Sequence, residues 1–121
     1  MYTYSFEKLE VWVEVKKLSK DIYTITSKFS PDEKFGLTSQ LRRASISICS
    51  NIAEGSARKT NKDKAHFTIM AFSSAFEVLN QIIISYELDF INLKEYTALR
   101  EQIESITNKL NALRNSHQIN E

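Results

Sequence analysis

The segment from residue 36 to 59, GLTSQLRRASISICSNIAEGSARK, constrains the fold most, because it has helical spacing but carries small or apolar residues on two faces. The first stripe consists of Leu37, Leu41, Ala44, Ile48 and Ile52, and the second consists of Ile46, Ser50, Ala53 and Ala57. Residues three and four apart share one side of a helix, so each stripe forms a continuous surface. The first stripe can face the core of the chain, and the second predicts contact with a partner.

The scarcity of turn-forming residues predicts an all-α fold. Two glycines and one proline in 121 residues leave few positions for the turns of a β-protein, and 42% hydrophobic residues can fill one core. We therefore expect a single domain over residues 1–121. Sixteen basic and fifteen acidic residues give a net charge of +1, so an electrostatic partner would have to bind a local patch.

Four periodic segments separated by short breaks predict an antiparallel up-and-down four-helix bundle. They run from about residue 6 to 29, from about 36 to between 55 and 59, from about 62 to 88, and from about 93 to 113. Expected caps are Ser5, the Ser30-Pro31 turn, Thr60-Asn61 and the Asn92/Glu95 pair. The polar tail from Ser116 to Glu121 is expected to fray.

The third segment also has two apolar stripes, which argues for burial beyond the core of one chain. One stripe is Phe67, Ala71, Ser74, Val78 and Ile82, and the other is Phe72, Phe76, Leu79, Ile83 and Tyr86. The two-sided second and third helices together predict a homo-oligomer.

The sequence offers no group of residues suited to catalysis or cofactor binding. Asp63 and His66 have metal-ligand spacing, but the pair occurs once, and the other histidine, His117, lies in the tail. Cys49 lies on an apolar helix, where a packed, inert thiol is expected. We predict a protein that is not an enzyme and has no metal or cofactor. The longest aliphatic run, Ile82 to Ile84, and the absence of a leader pattern favour the cytoplasm over a membrane.

Glu54 is a charged residue within a small, apolar segment, and it has two interpretations. It can pair locally with Arg58, four residues later on the same face. Alternatively, Asn51, Glu54 and Arg58 form a polar network that fixes the packing of neighbouring helices or subunits. Both interpretations are open at this point.

The basic residues around the second helix are the candidate nucleic-acid contacts. They are Arg42 and Arg43 near its start, and Arg58, Lys59, Lys62 and Lys64 around the turn into the third helix. In an oligomer each cluster is repeated in every subunit, so a modest patch can contact several phosphates.

Three motifs resemble one family over nearly the whole chain. They are Phe6-x-x-Leu9-x-Val11-Trp12, the run from Phe35 to Ala44 (FGLTSQLRRA), and Ser50-Asn51-Ile52-Ala53-Glu54-Gly55-x-x-Arg58. They resemble the four-helix-bundle proteins encoded in intervening sequences of bacterial 23S ribosomal RNA genes, often labelled S23 ribosomal proteins. Such proteins are similar to the accessory variability determinant of diversity-generating retroelements, a pentameric ring that binds nucleic acid and a reverse transcriptase. The resemblance implies a homopentamer.

Two functions follow as hypotheses. The first is a non-enzymatic oligomer that binds structured RNA or another nucleic acid, mainly by phosphate contacts. The alternative is a scaffolding ring that docks a partner protein such as a polymerase.

The sequence departs from the family pattern at Cys49, directly before the third motif, where relatives commonly have proline. Without that proline, the second helix is predicted to be straighter.

Overall fold

The computed structural model describes residues 1–119, which form four α-helices and two short 3-10 helices. The α-helices are α1 (Glu10–Thr26), α2 (Leu37–Ser56), α3 (Asn61–Glu87) and α4 (Leu93–Ile119). The 3-10 helices, Ser5–Lys8 and Pro31–Glu33, precede α1 and α2. Residues 1–119 contain no β-strand, so the all-α prediction is confirmed.

The helices form an antiparallel up-and-down bundle. α1 packs against α2 and α4, and α3 also packs against α2 and α4. Short connections between neighbouring helices force each one to reverse direction. The core is made by the inner faces of the four helices and the loop before α4, and its buried members are Val11, Val15, Leu18, Ile22, Leu41, Ala44, Ile48, Ile52, Ala71, Ala75, Val78, Ile82, Ile91, Leu99, Ile103, Ile106 and Leu110.

Most of the expected caps are present. The Thr60 hydroxyl accepts a hydrogen bond from the Asp63 N–H at 3.1 Å at the start of α3. At the start of α4, the Asn92 side chain accepts from the Glu95 N–H and the Glu95 carboxylate accepts from the Asn92 N–H, at 2.8 and 2.9 Å. These reciprocal bonds form a capping box. Ser30 accepts from the Asp32 N–H at 3.3 Å, as expected for a short helical turn.

The predicted ends of α1 and α4 were wrong. Leu9 adopts an extended backbone, which separates the 3-10 helix Ser5–Lys8 from α1, so Ser5 begins the 3-10 helix and does not cap α1. The Glu7 carboxylate accepts from the Tyr4 N–H at 2.7 Å and holds this turn. α4 continues through Ser116 to Ile119, because the apolar register of Leu110 and Leu113 extends to His117. The last two positions of the predicted tail, 120 and 121, lie outside the described residues.

The contact between α2 and α3 is the closest in the bundle and is built from small residues. The hydroxyls of Ser47 and Ser74 share a hydrogen bond of 2.9 Å across it. At Gly55, a Cβ atom would lie 2.9 Å from the Cβ of Phe67, closer than two such carbons can approach. Gly55 therefore sets the spacing of the two helices next to the turn that connects them.

Candidate nucleic-acid interface

The six candidate cations lie at opposite ends of α2. Arg42 and Arg43 belong to its second turn, whereas Arg58, Lys59, Lys62 and Lys64 surround its C-terminus and the start of α3. At 1.5 Å per residue, Arg42 and Arg58 are separated by roughly 24 Å along the helix axis. The structure therefore divides the predicted site into two groups.

Arg42 is occupied by contacts within the chain. Its Nε donates to the Thr26 hydroxyl at 2.9 Å, and a terminal nitrogen donates to the Tyr23 carbonyl at 3.3 Å. Its guanidinium also lies 4.6 Å from the centre of the Tyr23 ring. These contacts attach α2 to the last turn of α1, so Arg42 is a structural residue in this chain.

Arg43 is also paired. Its guanidinium forms an ion pair with Glu77 of α3 and donates to the Gln40 side chain at 2.9 Å. Gln81 donates to the same Glu77 carboxylate at 3.2 Å. Arg43 thus joins α2 to α3 at their surface, and a phosphate would have to compete with Glu77 for it.

The four cations between α2 and α3, Arg58, Lys59, Lys62 and Lys64, form what we call the turn cluster. Arg58, Lys59 and Lys62 are exposed and Lys64 is half-buried. Among residues 1–119, no carboxylate forms an ion pair with any of the four. The Arg58 guanidinium stacks 4.5 Å from the centre of the Phe67 ring, which orients it while leaving its N–H groups free to donate. This cluster is the part of the predicted site that is available to an anion.

The proposed polar network is not joined within the chain. Asn51 donates to the Ser47 carbonyl at 2.9 Å and to the Ser47 hydroxyl at 3.2 Å, while Arg58 contacts Phe67. Glu54 is exposed, and within residues 1–119 no ion pair or hydrogen bond connects it to Arg58. A network of Asn51, Glu54 and Arg58 across a subunit contact stays a prediction.

A partly enclosed cavity of about 190 Å³ lies beside the turn cluster, at the same end of the bundle. The sequence interpretation assigned His117 to a frayed tail, but it lies on α4 and lines this cavity with Lys64 of α3. The sequence could have indicated this position, because His117 lies four residues after Leu113 and seven after Leu110, on the same face of a helix. The remaining lining residues are Ser5, Leu9, Ile52, Gly55, Ser56, Thr68 and Leu113.

Residues that could have served catalysis or metal binding are not assembled. Burial raises the pKa of the half-buried Cys49 thiol above its ordinary value, which favours the unreactive protonated form. In the part of the chain that the structure describes, no three histidine, cysteine or carboxylate residues are grouped as metal ligands. His66 packs edge-on against Phe67, with ring centres 5.7 Å apart.

The outward side of α3 is apolar. Ile69, Met70, Phe76 and Ile84 are 40 to 50% exposed, and we call these four residues the α3 apolar face. Between Lys64 and Glu87 the only acidic or basic residues are His66 and Glu77, and Glu77 is already paired with Arg43. By length and composition α3 could span a membrane, although its longest aliphatic run, Ile82 to Ile84, did not indicate this. Within the bundle, 33% of the most apolar stretch of α3 is buried. In the structure α3 packs against both α2 and α4.

The second apolar stripe predicted for the α2 segment lies largely on the surface of the bundle. Ile46 is 44% exposed, Ser50 and Ala57 are exposed, and Ala53 is half-buried. The first stripe supplies Leu41, Ala44, Ile48 and Ile52 to the core, as expected. The second stripe therefore remains available for contact outside this chain.

Comparison with known proteins places the chain in a defined group. Residues 7–112 match a protein-family model described as 23S rRNA-intervening sequence protein. A crystal structure of a protein with unknown function from the S23 ribosomal protein family of Bacteroides thetaiotaomicron aligns with a TM-score of 0.77 and 18% sequence identity. The alignment covers 86% of this chain and 97% of that chain, and at this identity the similarity shows the fold. Comparison with curated proteins gave no match.

Proposed function

The chain belongs to the family of 23S rRNA-intervening sequence proteins, and from that premise we propose that it is a non-enzymatic, cytoplasmic oligomer that binds structured RNA through the turn cluster. The observation that carries the proposal is the availability of Arg58, Lys59, Lys62 and Lys64. They have no acidic partner among the described residues, whereas Arg42 and Arg43 are used within the bundle.

The chemistry of these side chains favours phosphate contacts. Lysine ammonium groups attract phosphate as point charges, and an arginine whose plane is fixed by an aromatic ring can donate two parallel hydrogen bonds. Arg58, held over Phe67, has that second geometry. Such contacts position a protein on a nucleic-acid backbone, so recognition follows the shape of the RNA more than its base sequence.

Oligomerisation would strengthen this binding. One turn cluster provides four cations, and a ring repeats them at fixed spacing, so that several phosphates are contacted at once. The α3 apolar face and Ile46 of α2 support such a self-association, since several large apolar side chains exposed on one side of a small bundle favour burial against a protein.

The test is binding of the purified protein to a labelled structured RNA at low and near-physiological salt. We expect tight binding at low salt that weakens steeply with added salt, because each neutralised phosphate releases a counterion. The double variant Lys59→Glu/Lys62→Glu should bind at least about tenfold more weakly, with a salt slope reduced by about one for each lost contact.

The matched control is Lys20→Glu/Lys94→Glu. It introduces the same change in net charge at two exposed lysines that have no ion pair among the described residues and lie outside the turn cluster. An equal loss in both double variants would mean that only net charge matters. Absence of RNA binding by the wild type at low salt would reject the proposal.

The second candidate is a scaffold that captures a partner protein on its apolar surfaces, and the 50% exposure of Phe76 favours it. The charge-reversal variant separates the two candidates. It should abolish binding of RNA but leave capture of a partner through apolar contacts largely intact.

A further inference from the structure

The cavity beside the turn cluster brings together two basic side chains with no acidic partner. Lys64 from α3 and His117 from α4 both line it, and His117 Nε2 lies 3.4 Å from the Thr68 hydroxyl. Lys64 is half-buried, and no carboxylate within residues 1–119 pairs with it. Two basic side chains that line one cavity with no acidic residue among its described lining residues make the site suited to an anion.

Among the described residues, none that lines this cavity is acidic. Lys64 and His117 are the ionisable residues among those that line it. On the N-terminal side, Glu7 accepts a hydrogen bond from the Tyr4 N–H, and Glu10 pairs with Lys109 of α4. On α4, the Nε of Arg114, one turn before His117, is buried without a hydrogen-bond partner among the described residues. This end of the bundle therefore carries several basic groups, and it also carries the exposed carboxylates of Glu54 and Asp63, which form no ion pair among the described residues and do not line the cavity.

The hydroxyl groups in the cavity indicate what else the ligand carries. Ser56 donates its hydroxyl hydrogen to the Ala53 carbonyl at 2.7 Å, and Thr68 donates to the Lys64 carbonyl at 3.1 Å. Both oxygens therefore present lone pairs and can accept hydrogen bonds from ligand hydroxyls. Leu9, Ile52 and Leu113 add apolar walls for a carbon skeleton.

We propose that this cavity binds a phosphomonoester attached to a pentose, with the phosphate against Lys64 and His117 and the sugar hydroxyls against Ser56 and Thr68. A cavity of about 190 Å³ accepts a phosphate group and the sugar bonded to it, and the rest of the ligand extends out of it. The source is either a free sugar phosphate or the terminal nucleotide of a strand. In the second case the inference rests on the proposed function, because the same strand would continue over the turn cluster.

The charge state of His117 provides a direct readout. The pKa of His117 lies below its ordinary value of 6.5; desolvation is the larger cause, and the positive charge of Lys64 is the smaller one. A phosphate bound between the two groups should oppose this effect and raise the pKa of His117. The chain has two histidines, so exposed His66 serves as the internal reference in an NMR titration.

The experiment titrates the full chain with ribose 5-phosphate, and then with one short RNA bearing either a 5′-phosphate or a 5′-hydroxyl. We expect ribose 5-phosphate to shift the His117 titration and leave His66 unchanged. Lys64→Met should weaken this binding about tenfold, since it removes a charge-assisted hydrogen bond, whereas Lys20→Met should bind as the wild type does. His117→Gln should also weaken binding when it is measured by calorimetry.

The two RNAs identify the source of the ligand. A preference of about tenfold for the 5′-phosphorylated RNA identifies a strand end, and equal binding of both RNAs with retained ribose 5-phosphate binding identifies a free sugar phosphate. No shift of His117 with any of these probes, or binding unaffected by Lys64→Met, overturns the cavity proposal.

The two proposals fail separately. If ribose 5-phosphate shifts His117 but neither RNA binds at low salt, the cavity proposal stands and RNA binding by the turn cluster is rejected. If both RNAs bind with steep salt dependence but ribose 5-phosphate leaves His117 unchanged, the turn cluster stands and the cavity proposal is rejected.

Discussion

At the scale of single residues, contacts within the chain distinguish cations that hold the fold from cations that remain available. Arg42 on α2 and Arg58 just after its C-terminus have the same side chain, yet Arg42 bonds to the last turn of α1 and Arg58 stacks on Phe67. The sequence predicted the positions of both, because the 1.5 Å rise fixes where each lies along α2. It could not predict which was occupied, because Thr26 and Tyr23 are distant in sequence.

Asp89, at the end of α3, allows a test of a single backbone conformation. It has φ of 62°, and the Phe90 N–H donates to the Ser85 carbonyl at 2.9 Å in the pattern of a Schellman cap. A side chain in this left-handed region is strained, and a negative charge at a helix C-terminus is unfavourable. We expect Asp89→Gly to stabilise the protein by about 0.5–1 kcal/mol, measured as the midpoint of urea unfolding.

Asp89→Asn separates the two causes of this effect, because it removes the charge and keeps the side chain. It should recover only the electrostatic part, a few tenths of a kcal/mol. A destabilised Asp89→Gly protein would show that the aspartate side chain stabilises the turn.

His117 predicts a pH dependence of stability. Its pKa is lowered in the folded protein by desolvation and by Lys64, so the unfolded chain takes up its proton at a higher pH. The stability associated with neutral His117 is therefore present above its ordinary pKa of 6.5 and is lost as the pH falls below it. We expect the thermal midpoint to fall between about pH 7.5 and pH 5.5, and to fall less in His117→Gln. An identical fall in both proteins would contradict this assignment.

At the scale of helices, periodicity was sufficient to predict each element, and local turn chemistry decided where it ends. The Asn92/Glu95 capping box could be recognised because its reciprocal bonds need only a fixed spacing. The break at Leu9 could not, because it depends on how the 3-10 helix Ser5–Lys8 packs against α1 and α2. The extension of α4 to Ile119 was missed because its polar composition concealed the register that places His117 on the inner side.

The spacing of α2 and α3 depends on Gly55. The Cβ of an alanine there would lie 2.9 Å from the Cβ of Phe67, an atom that cannot move away without its backbone. We expect the cost of separating the helices, about 1–3 kcal/mol, to exceed the gain in helix propensity of about 1 kcal/mol. Gly55→Ala should therefore lower the free energy of unfolding, measured with urea.

The control for this prediction is Gly36→Ala. Its Cβ would also come within 2.9 Å of another atom, but that atom is Oε1 of Glu33, the end of a flexible side chain. The change should cost less than Gly55→Ala, because Glu33 can move without its backbone, giving up only the hydrogen bond that its Oε1 accepts from the Leu37 N–H at 3.2 Å. Equal destabilisation of both variants would mean that loss of glycine itself, and not the contact with Phe67, is responsible.

At the scale of the whole molecule, the two ends and the outward side of the bundle have different chemistry. The turn cluster and its cavity lie at one end of the bundle. Arg42 and Arg43 join α2 to α1 and to α3 nearer the other end, and the α3 apolar face lies between the two regions. Of the second stripe predicted for α3, Phe72, Leu79 and Tyr86 pack against the core and only Phe76 belongs to the α3 apolar face. The family resemblance, and not that surface, is the basis of the expected subunit number of five, which stays a prediction.

Phe76 tests whether the apolar surface holds subunits together. It is 50% exposed, and the residues around it on the outward side of α3 include Ile69 and Met70, so burial against a second copy would stabilise an assembly. Aspartate at this position would place a charge in the contact, which costs several kcal/mol when the charge has no partner. We expect light scattering at micromolar concentration to give a multiple of the chain mass for the wild type and the mass of one chain for Phe76→Asp.

Phe35→Asp is the matched control, because Phe35 is 85% exposed and lies before α2, away from the α3 apolar face. This variant should keep the mass of the wild type. If Phe76→Asp is monomeric and folded, it should also lose affinity for RNA by more than the addition of one negative charge explains, because each chain would then present a single turn cluster. A monomeric wild type would leave the second apolar stripes without an oligomeric explanation, and RNA binding would depend on one cluster alone.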